Sequence, residues 1–459
     1  MKVAVLMGDF ERFIKRCEEV REMIGRMHSP LIVNHYDADG LASGGLVAKA
    51  LRMAGKEFRI MTTRKLDEGV IESLKGEKEI IFVDFGGGAK QLELVEERLG
   101  KSDVVVIDHH QTKESKILQA NPHLFGFDGG SELSAAGTAY FVFRQPELVE
   151  LAIVGAMGDM QHPLKGLNRK ILEEGKKHGM VEVGLDLTLF GRVSRGLVWF
   201  LQYCSEPYLP GLTGKRAACA QFLEELGIEL KEGERWRKYY ELPHDEKVKI
   251  VSGLVALLYS READDATIKS LVGEVYTFPR QEQGTELSDA NEFSTALNAC
   301  GRHNRPEVGV GVCLGEKKAI EEAQELLLLH RRQLREGMEF ASQAVEDFGV
   351  YYFLDGRGII DDGLIGVVAG MMYGGTIQRT KPIIAAALNE EGQIKISGRA
   401  TKKLCAQGLN LGKMLSKATE GIGAGGGHNI AAGAQVETGK MNEFLLGAGE
   451  IVTSQLNFP

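Results

Sequence analysis

The stretch LIVNHYDADG, residues 31–40, decides the fold of this chain. Its first half is apolar and β-branched, as a buried strand requires, and its second half turns abruptly to metal-ligand chemistry. In HYDAD the i, i+2, i+4 spacing predicts that His35, Asp37 and Asp39 face one side of an extended segment. Two later stretches follow the same grammar: EIIFVDFGGG (79–88) reaches Asp84, and DVVVIDHH (103–110) reaches Asp108, His109 and His110. Apolar runs this short, alternating with helix-like segments, predict a parallel sheet buried on both faces, the doubly wound α/β class. Ligands in that class bind beyond the carboxyl ends of the strands, which is where all of these residues fall.

A fourth segment joins them if LAIVGAMGD (151–159) delivers Asp159 after its own apolar run. Any single Asp at a strand end is most simply the N-cap of the next helix. Three consecutive strands each ending in acid or imidazole are poorly explained by capping. Carboxylates gathered this way repel one another unless cations neutralise them. Two divalent ions roughly 3.5–4 Å apart would do so, and would also polarise a phosphate and generate a hydroxide near neutral pH. Several carboxylates with imidazoles and no thiolate suit Mn2+ or Mg2+, and the two histidines favour Mn2+.

The bulk numbers exclude several classes. A net charge of −9 rules out a chain coated in positive charge, so any nucleic acid must be held in a local groove. No window of 18 apolar residues occurs, so no membrane association is expected. Six cysteines lie scattered without a CxxC pair, which predicts a reducing, cytoplasmic setting rather than a disulfide framework or zinc knuckle.

Length and patterning divide the chain into four stretches: a catalytic domain over 1–185, a middle inserted region over 186–315, a connecting helix over 316–345 and a smaller C-terminal α/β domain over 346–459. The middle region opens on WFLQYCSEPYLPGLTG (199–214), whose Trp199, Phe200 and Tyr203 read as core rather than a base-stacking platform. The connecting helix has no Pro and a single Gly, Gly337. Its His330, Arg331, Arg332 and Arg335 read as an exposed face, and the EFSTALNACGRHNRP stretch (292–306), with Arg302, His303 and Arg305, reads as a solvated loop as readily as a backbone contact.

In order and spacing, NHYDADGLASG, VDFGGG, IDHH and GAMGD resemble the four motifs of the DHH phosphoesterases, and KISGRA (395–400) and GAGGGHNIAAG (423–433) resemble the DHH-associated domain paired with them. The resemblance implies that His35 and Asp37 bind one metal and that Asp39, His109 and Asp159 bind the other, with Asp84 bridging. It implies that His110 contacts the scissile phosphate or assists proton transfer, and that Asp108 orients the histidines. At the C-terminus, the backbone of Gly425, Gly426 and Gly427, with His428, Ser397 and the Arg399 guanidinium, would grip a substrate phosphate.

Among family activities, the added middle region favours a RecJ-like exonuclease on single-stranded DNA, with RNA as a second substrate and a 5′ to 3′ direction implied by the resemblance. The alternatives are a small-substrate phosphodiesterase acting on nanoRNA or dinucleotides, and a replisome component with residual nuclease activity. A pyrophosphatase is disfavoured because its first motif spaces His and the Asp pair more widely than HYDAD. The chain most resembles archaeal RecJ-like proteins, which implies single-stranded nucleic acid and the GINS complex of the replicative helicase as partners.

Overall fold

The structure, a computed structural model, describes residues 2–204, 207–261, 263, 265–374, 376–389 and 391–456. Contacts divide the chain into two compact units: residues 1–200, 222–256 and 263–327 form the first, and 201–221, 257–262 and 328–459 the second.

The first unit is built on α1 (Lys2–Arg26) and a sheet of β1 (Leu31–His35), β2 (Arg59–Thr63), β3 (Glu79–Val83), β4 (Asp103–Ile107) and β5 (Leu118–Ala120), in the order β2-β1-β3-β4-β5. Every neighbouring pair is parallel. Period-two alternation sends successive side chains to opposite faces. Ile32, Ile81, Val83, Val105 and Ile107 enter a core with α1 and α2 (Ala38–Met53). Leu31, Val33, Ile80, Phe82, Val104 and Val106 enter another, under α3 (Glu68–Ser73) and α4 (Ala89–Leu99). Burial on both faces explains the unbroken apolar runs, each such side chain contributing roughly 1.5–3 kcal/mol. The chain leaves β1 for β2 and then returns past β1 to β3, so strand order reverses between β1 and β3, the place where such sheets bind ligands.

The apolar run 138–159 is helical: α5 (Ala135–Phe143) and α6 (Val149–Gly158) pack on α2, followed by α7 (Gly166–Lys177), and Asp159 arrives as the C-cap of α6. The 292–306 stretch is also helical rather than a loop, forming most of a helix over Ala290–Arg302 that packs on α2 and α6. Asp289 caps it and is ion-paired to Arg192 at 2.7 Å, while Glu292 accepts from the Val193 and Ser194 amides, which ties the start of the middle segment to this helix. Phe200 is buried against Tyr239, and Trp199 meets Trp236 edge-on.

The second unit carries a six-stranded sheet in the order Glu346–Asp347, Tyr352–Asp355, Ile383–Leu388, Ile394–Arg399, Ala431–Val436, Gly423–Gly427. Its two faces bury separate cores, one reaching Leu334, Met338 and Ala341 of the helix Lys317–Ala344 and the other Leu411, Met414, Leu415 and Phe444. On the Lys317–Ala344 helix His330 is buried, while Arg332 and Arg335 are exposed.

Candidate metal centre

The sheet positions the ligand-grade residues, though not as a single extended row. Only His35 belongs to the strand; Asp37 is the N-cap of α2, accepting from the Gly40 amide at 2.9 Å, and Asp39 sits in the first helical turn. The helix therefore starts inside the motif and turns the two carboxylates to different neighbours. Asp39, 1% exposed, accepts from the Ala135 and Ala136 amides at the start of α5, at 2.7 and 3.0 Å. That approach needs Gly155 on α6, where a Cβ would lie 2.2 Å from Asp39 Oδ1.

Asp84 follows β3 with φ at +64°, a left-handed backbone that costs roughly 1–3 kcal/mol at a non-glycine residue. Buried to 2% exposure, it faces two ways: Oδ2 lies 3.4 Å from His35 Nδ1, and Oδ1 lies 3.3 Å from His109 Nε2. His35 Nδ1 is also 3.0 Å from Asp37, and His109 Nε2 is 3.3 Å from Asp159. Two sets of donor atoms thus converge, each within 4.8 Å: His35, Asp37 and Asp84 on one side, and Asp39, His109 and Asp159 on the other. A third, overlapping set brings Asp84 and His109 together with Asp108 and His110.

Fully buried Asp108 organises the double histidine. One oxygen accepts from the His109 and His110 amides and, at 2.8 Å, from His110 Nδ1; the other accepts from the Gly87 amide. Burial opposes its charge, but these donors hold the carboxyl well below the usual range. Burial likewise works against a charged His110, and the Asp108 bond overcomes it, raising the imidazole to about 9. His109 Nδ1 meets the Gly129 carbonyl at 2.8 Å; a carbonyl only accepts, so Nδ1 carries the proton and Nε2 faces the carboxylates.

The electrostatics of the cluster ask for a cation. Burial, with Asp159 and Asp84 close by, pushes Asp39 well above the carboxylate range. Burial raises Asp159 to about 7, with Asp84 and Asp37 adding to it against the pull of His109. Asp84 Oδ1 is buried with no hydrogen-bond partner among the described residues. Carboxylates and imidazoles with an orphaned oxygen between them fit divalent metal, and these clusters could hold it.

Ser397 and Arg399 end an internal strand of the second unit; Ser397 is buried and Arg399 half-buried, its Nη1 donating to the Gly398 carbonyl. The Gly425–Gly427 run lies in an edge strand paired with Ala431–Val436, and its glycines let Leu411–Ala418 pack closely on it. His428, exposed, follows that strand.

At the end of the Ala290–Arg302 helix the sequence pointed to Arg302 but not to Asn298 or Gly301. Asn298 Oδ1 accepts from the Ala38 amide at 3.0 Å, and Gly301 comes so near the Tyr36 carbonyl that a Cβ would lie 1.8 Å from it. Arg302 lies in the field of Asp37, and Arg64 covers the Tyr36 ring and bonds to Asn304. The only signal was the pairing of a small residue with a polar one at a helix end.

Comparison with known proteins gives this arrangement its context. Three family models match: the DHH family N-terminal domain over 30–159, the DHH-CID domain over 189–272 and the DHHA1 domain over 348–453. An uncharacterised protein of Methanocaldococcus jannaschii, MJ0831, is 32% identical over 441 residues, 93% of each chain. The chain belongs to the DHH family of phosphoesterases. Its fold is similar to that of RecJ from Thermus thermophilus solved with Mn2+ (TM-score 0.60, 17% identity, 97% of this chain); this DHH chain spans 55% of that protein's length. It is similar as well to Cdc45 from Entamoeba histolytica (TM-score 0.61, 12% identity, 98% and 99% of the two chains). Among the described residues, no helix of this DHH protein is long and apolar enough to cross a membrane.

Proposed function

We propose that this chain is a two-metal exonuclease that hydrolyses phosphodiester bonds of single-stranded DNA, with RNA as a second substrate, in the 5′ to 3′ direction. The observation that carries the reading is Asp84, a buried carboxylate between two ligand sets with one oxygen lacking any hydrogen bond among the described residues. His35 and Asp37 would hold one ion and Asp39, His109 and Asp159 the other, with Asp84 serving both. The chemistry supplied by divalent ions there, Mn2+ favoured over Mg2+ by the two imidazoles, is polarisation of the phosphate and a nucleophile near neutral pH.

The chain's own groups do the rest. His110, held protonated by Asp108, would donate from Nε2 to a phosphate oxygen or to the leaving group. Arg302 adds positive charge on the Asp37 side. Ser397, Arg399, His428 and the Gly425–Gly427 backbone would engage a further phosphate of the strand. Replacing Arg399 with Ala should then raise KM about tenfold, the worth of a charge-assisted hydrogen bond, with Mn2+ affinity unchanged. The middle segment, by the resemblance of the sequence to archaeal RecJ-like proteins, is the proposed docking surface for a GINS-type replicative helicase complex, and a pull-down with 189–272 deleted tests it.

The experiment for the activity itself is a time course with Mn2+ on single-stranded DNA and RNA labelled separately at each end, beside a dinucleotide and pyrophosphate. Mononucleotide release from the 5′ end of long strands is expected. Activity confined to the dinucleotide would replace this reading with a small-substrate phosphodiesterase.

A further inference from the structure

Immediately after Asp159 the chain builds a buried amide relay. Gln161, 4% exposed, sends its Nε2 to the Gly129 carbonyl at 2.8 Å. That carbonyl is the same one that fixes His109 Nδ1, also at 2.8 Å. The same Nε2 lies 3.5 Å from Asp159 Oδ2. On the other side, Gln161 Oε1 accepts from Asn168 Nδ2 at 2.6 Å; Asn168 is 2% exposed on α7, and its backbone amide binds the Glu132 carbonyl. One amide group therefore touches the support of His109 and the carboxylate of Asp159 together.

The chemistry fixes the direction of this amide. The Gly129 carbonyl and the Asp159 carboxylate accept only, so the NH2 end must face them and Oε1 must face the Asn168 NH2. A reversed amide would set oxygen against oxygen at Gly129 and Asp159, and NH2 against NH2 at Asn168.

We infer that Gln161, oriented by Asn168, is a positioning residue that holds His109 and Asp159 in register for the cation of the Asp39–His109–Asp159 cluster. This rests on the two-ion reading above. Glutamate at 161 would set a carboxylate against Asp159, and leucine would strip Asn168 Nδ2 of its acceptor and Asp159 of its neighbour. Outer partners of this kind carry roughly 10–100-fold of metal affinity. Among the described residues no hydrogen bond joins Gln161 to His35, Asp37 or Asp84, so the effect is confined to one ion.

The test is a Mn2+ titration of the full chain, free Mn2+ being read by electron paramagnetic resonance, with a thermal melt of each metal-free variant as the folding control. Wild type should show two binding classes. Gln161→Leu and Gln161→Glu should weaken one class about 10–100-fold and leave the other in place, and Asn168→Ala should weaken that same class less. His35→Ala, as the counterpart, should weaken the other class. Unchanged affinities in folded Gln161→Leu and Gln161→Glu overturn the inference. Should both prove unfolded, Asn168→Ala decides, since it leaves Gln161 and every ligand in place. A wild type that binds a single ion would instead defeat the two-ion reading, and the positioning role would stand or fall on whether that ion weakens in the Gln161 variants.

Discussion

The two ligand sets that meet at Asp84 are built differently. In the Asp39–His109–Asp159 set the fold does the aiming: both Asp39 oxygens are bonded by amides of α5, His109 is fixed by a backbone carbonyl, and Asp39 and His109 are buried. In the His35–Asp37–Asp84 set, His35 and Asp37 are more open, at 23% and 37% side-chain exposure, and His35 bonds to Asp37 and approaches Asp84. Two ligands of the first set, Asp39 and His109, are shaped before a cation arrives, while Asp159 is 24% exposed. The second set has to exchange its internal bonds for the cation. Preorganisation of this sort lowers the cost of binding, so the two ions should differ in affinity.

The largest effect is expected where the sets join. Asp84→Ala should cost on the order of 10³-fold or more in turnover while the chain stays folded, since one carboxylate serves both ions and their several kcal/mol of charge stabilisation. Nuclease assays beside a thermal melt check this, and retained activity breaks the shared-ligand account. Chelation comes next. Removing divalent metal should lower stability by about 2.7 kcal/mol for each ion held at about 100 times its Kd, because the crowded carboxylates lose their counter-charge; equal melting with and without Mn2+ would contradict a built site.

The asymmetry itself is sharpened by paired variants. His109→Ala should lose about tenfold more Mn2+ affinity than His35→Ala, as expected when one ligand is preset by the fold and the other is not. Equal losses, measured by titration, would erase the distinction. The smallest effect belongs to Asn298→Ala, which frees the Ala38 amide and should cost about 1 kcal/mol, read as a few-fold loss at the His35–Asp37 side alone.

Much of this was legible in the chain because a sheet buried on both faces writes itself as short unbroken apolar runs. The strands ending at His35, Val83 and Ile107 could be read directly, and so could the acids and histidines just past their ends. What those runs could not convey was where a helix begins. Asp37 looked like a strand residue because capping geometry, not spacing, starts α2 there. The 292–306 stretch, polar enough to read as a loop, is held helical by Asp289 at its N-cap and by Phe293 and Leu297 facing the core. The glycine run at 423–427 became a strand because its neighbours supply the packing that its own side chains lack. Asn298 and Gln161 were invisible for a common reason: each acts through a backbone group distant in sequence, Ala38 for one and Gly129 for the other.

The central claim, two ions sharing Asp84, is tested most directly by anomalous diffraction at the manganese edge from crystals equilibrated with Mn2+. Two peaks flanking Asp84 are predicted, the one beside Asp39, His109 and Asp159 filling at the lower Mn2+ concentration. A single peak away from Asp84, or none, would contradict the account.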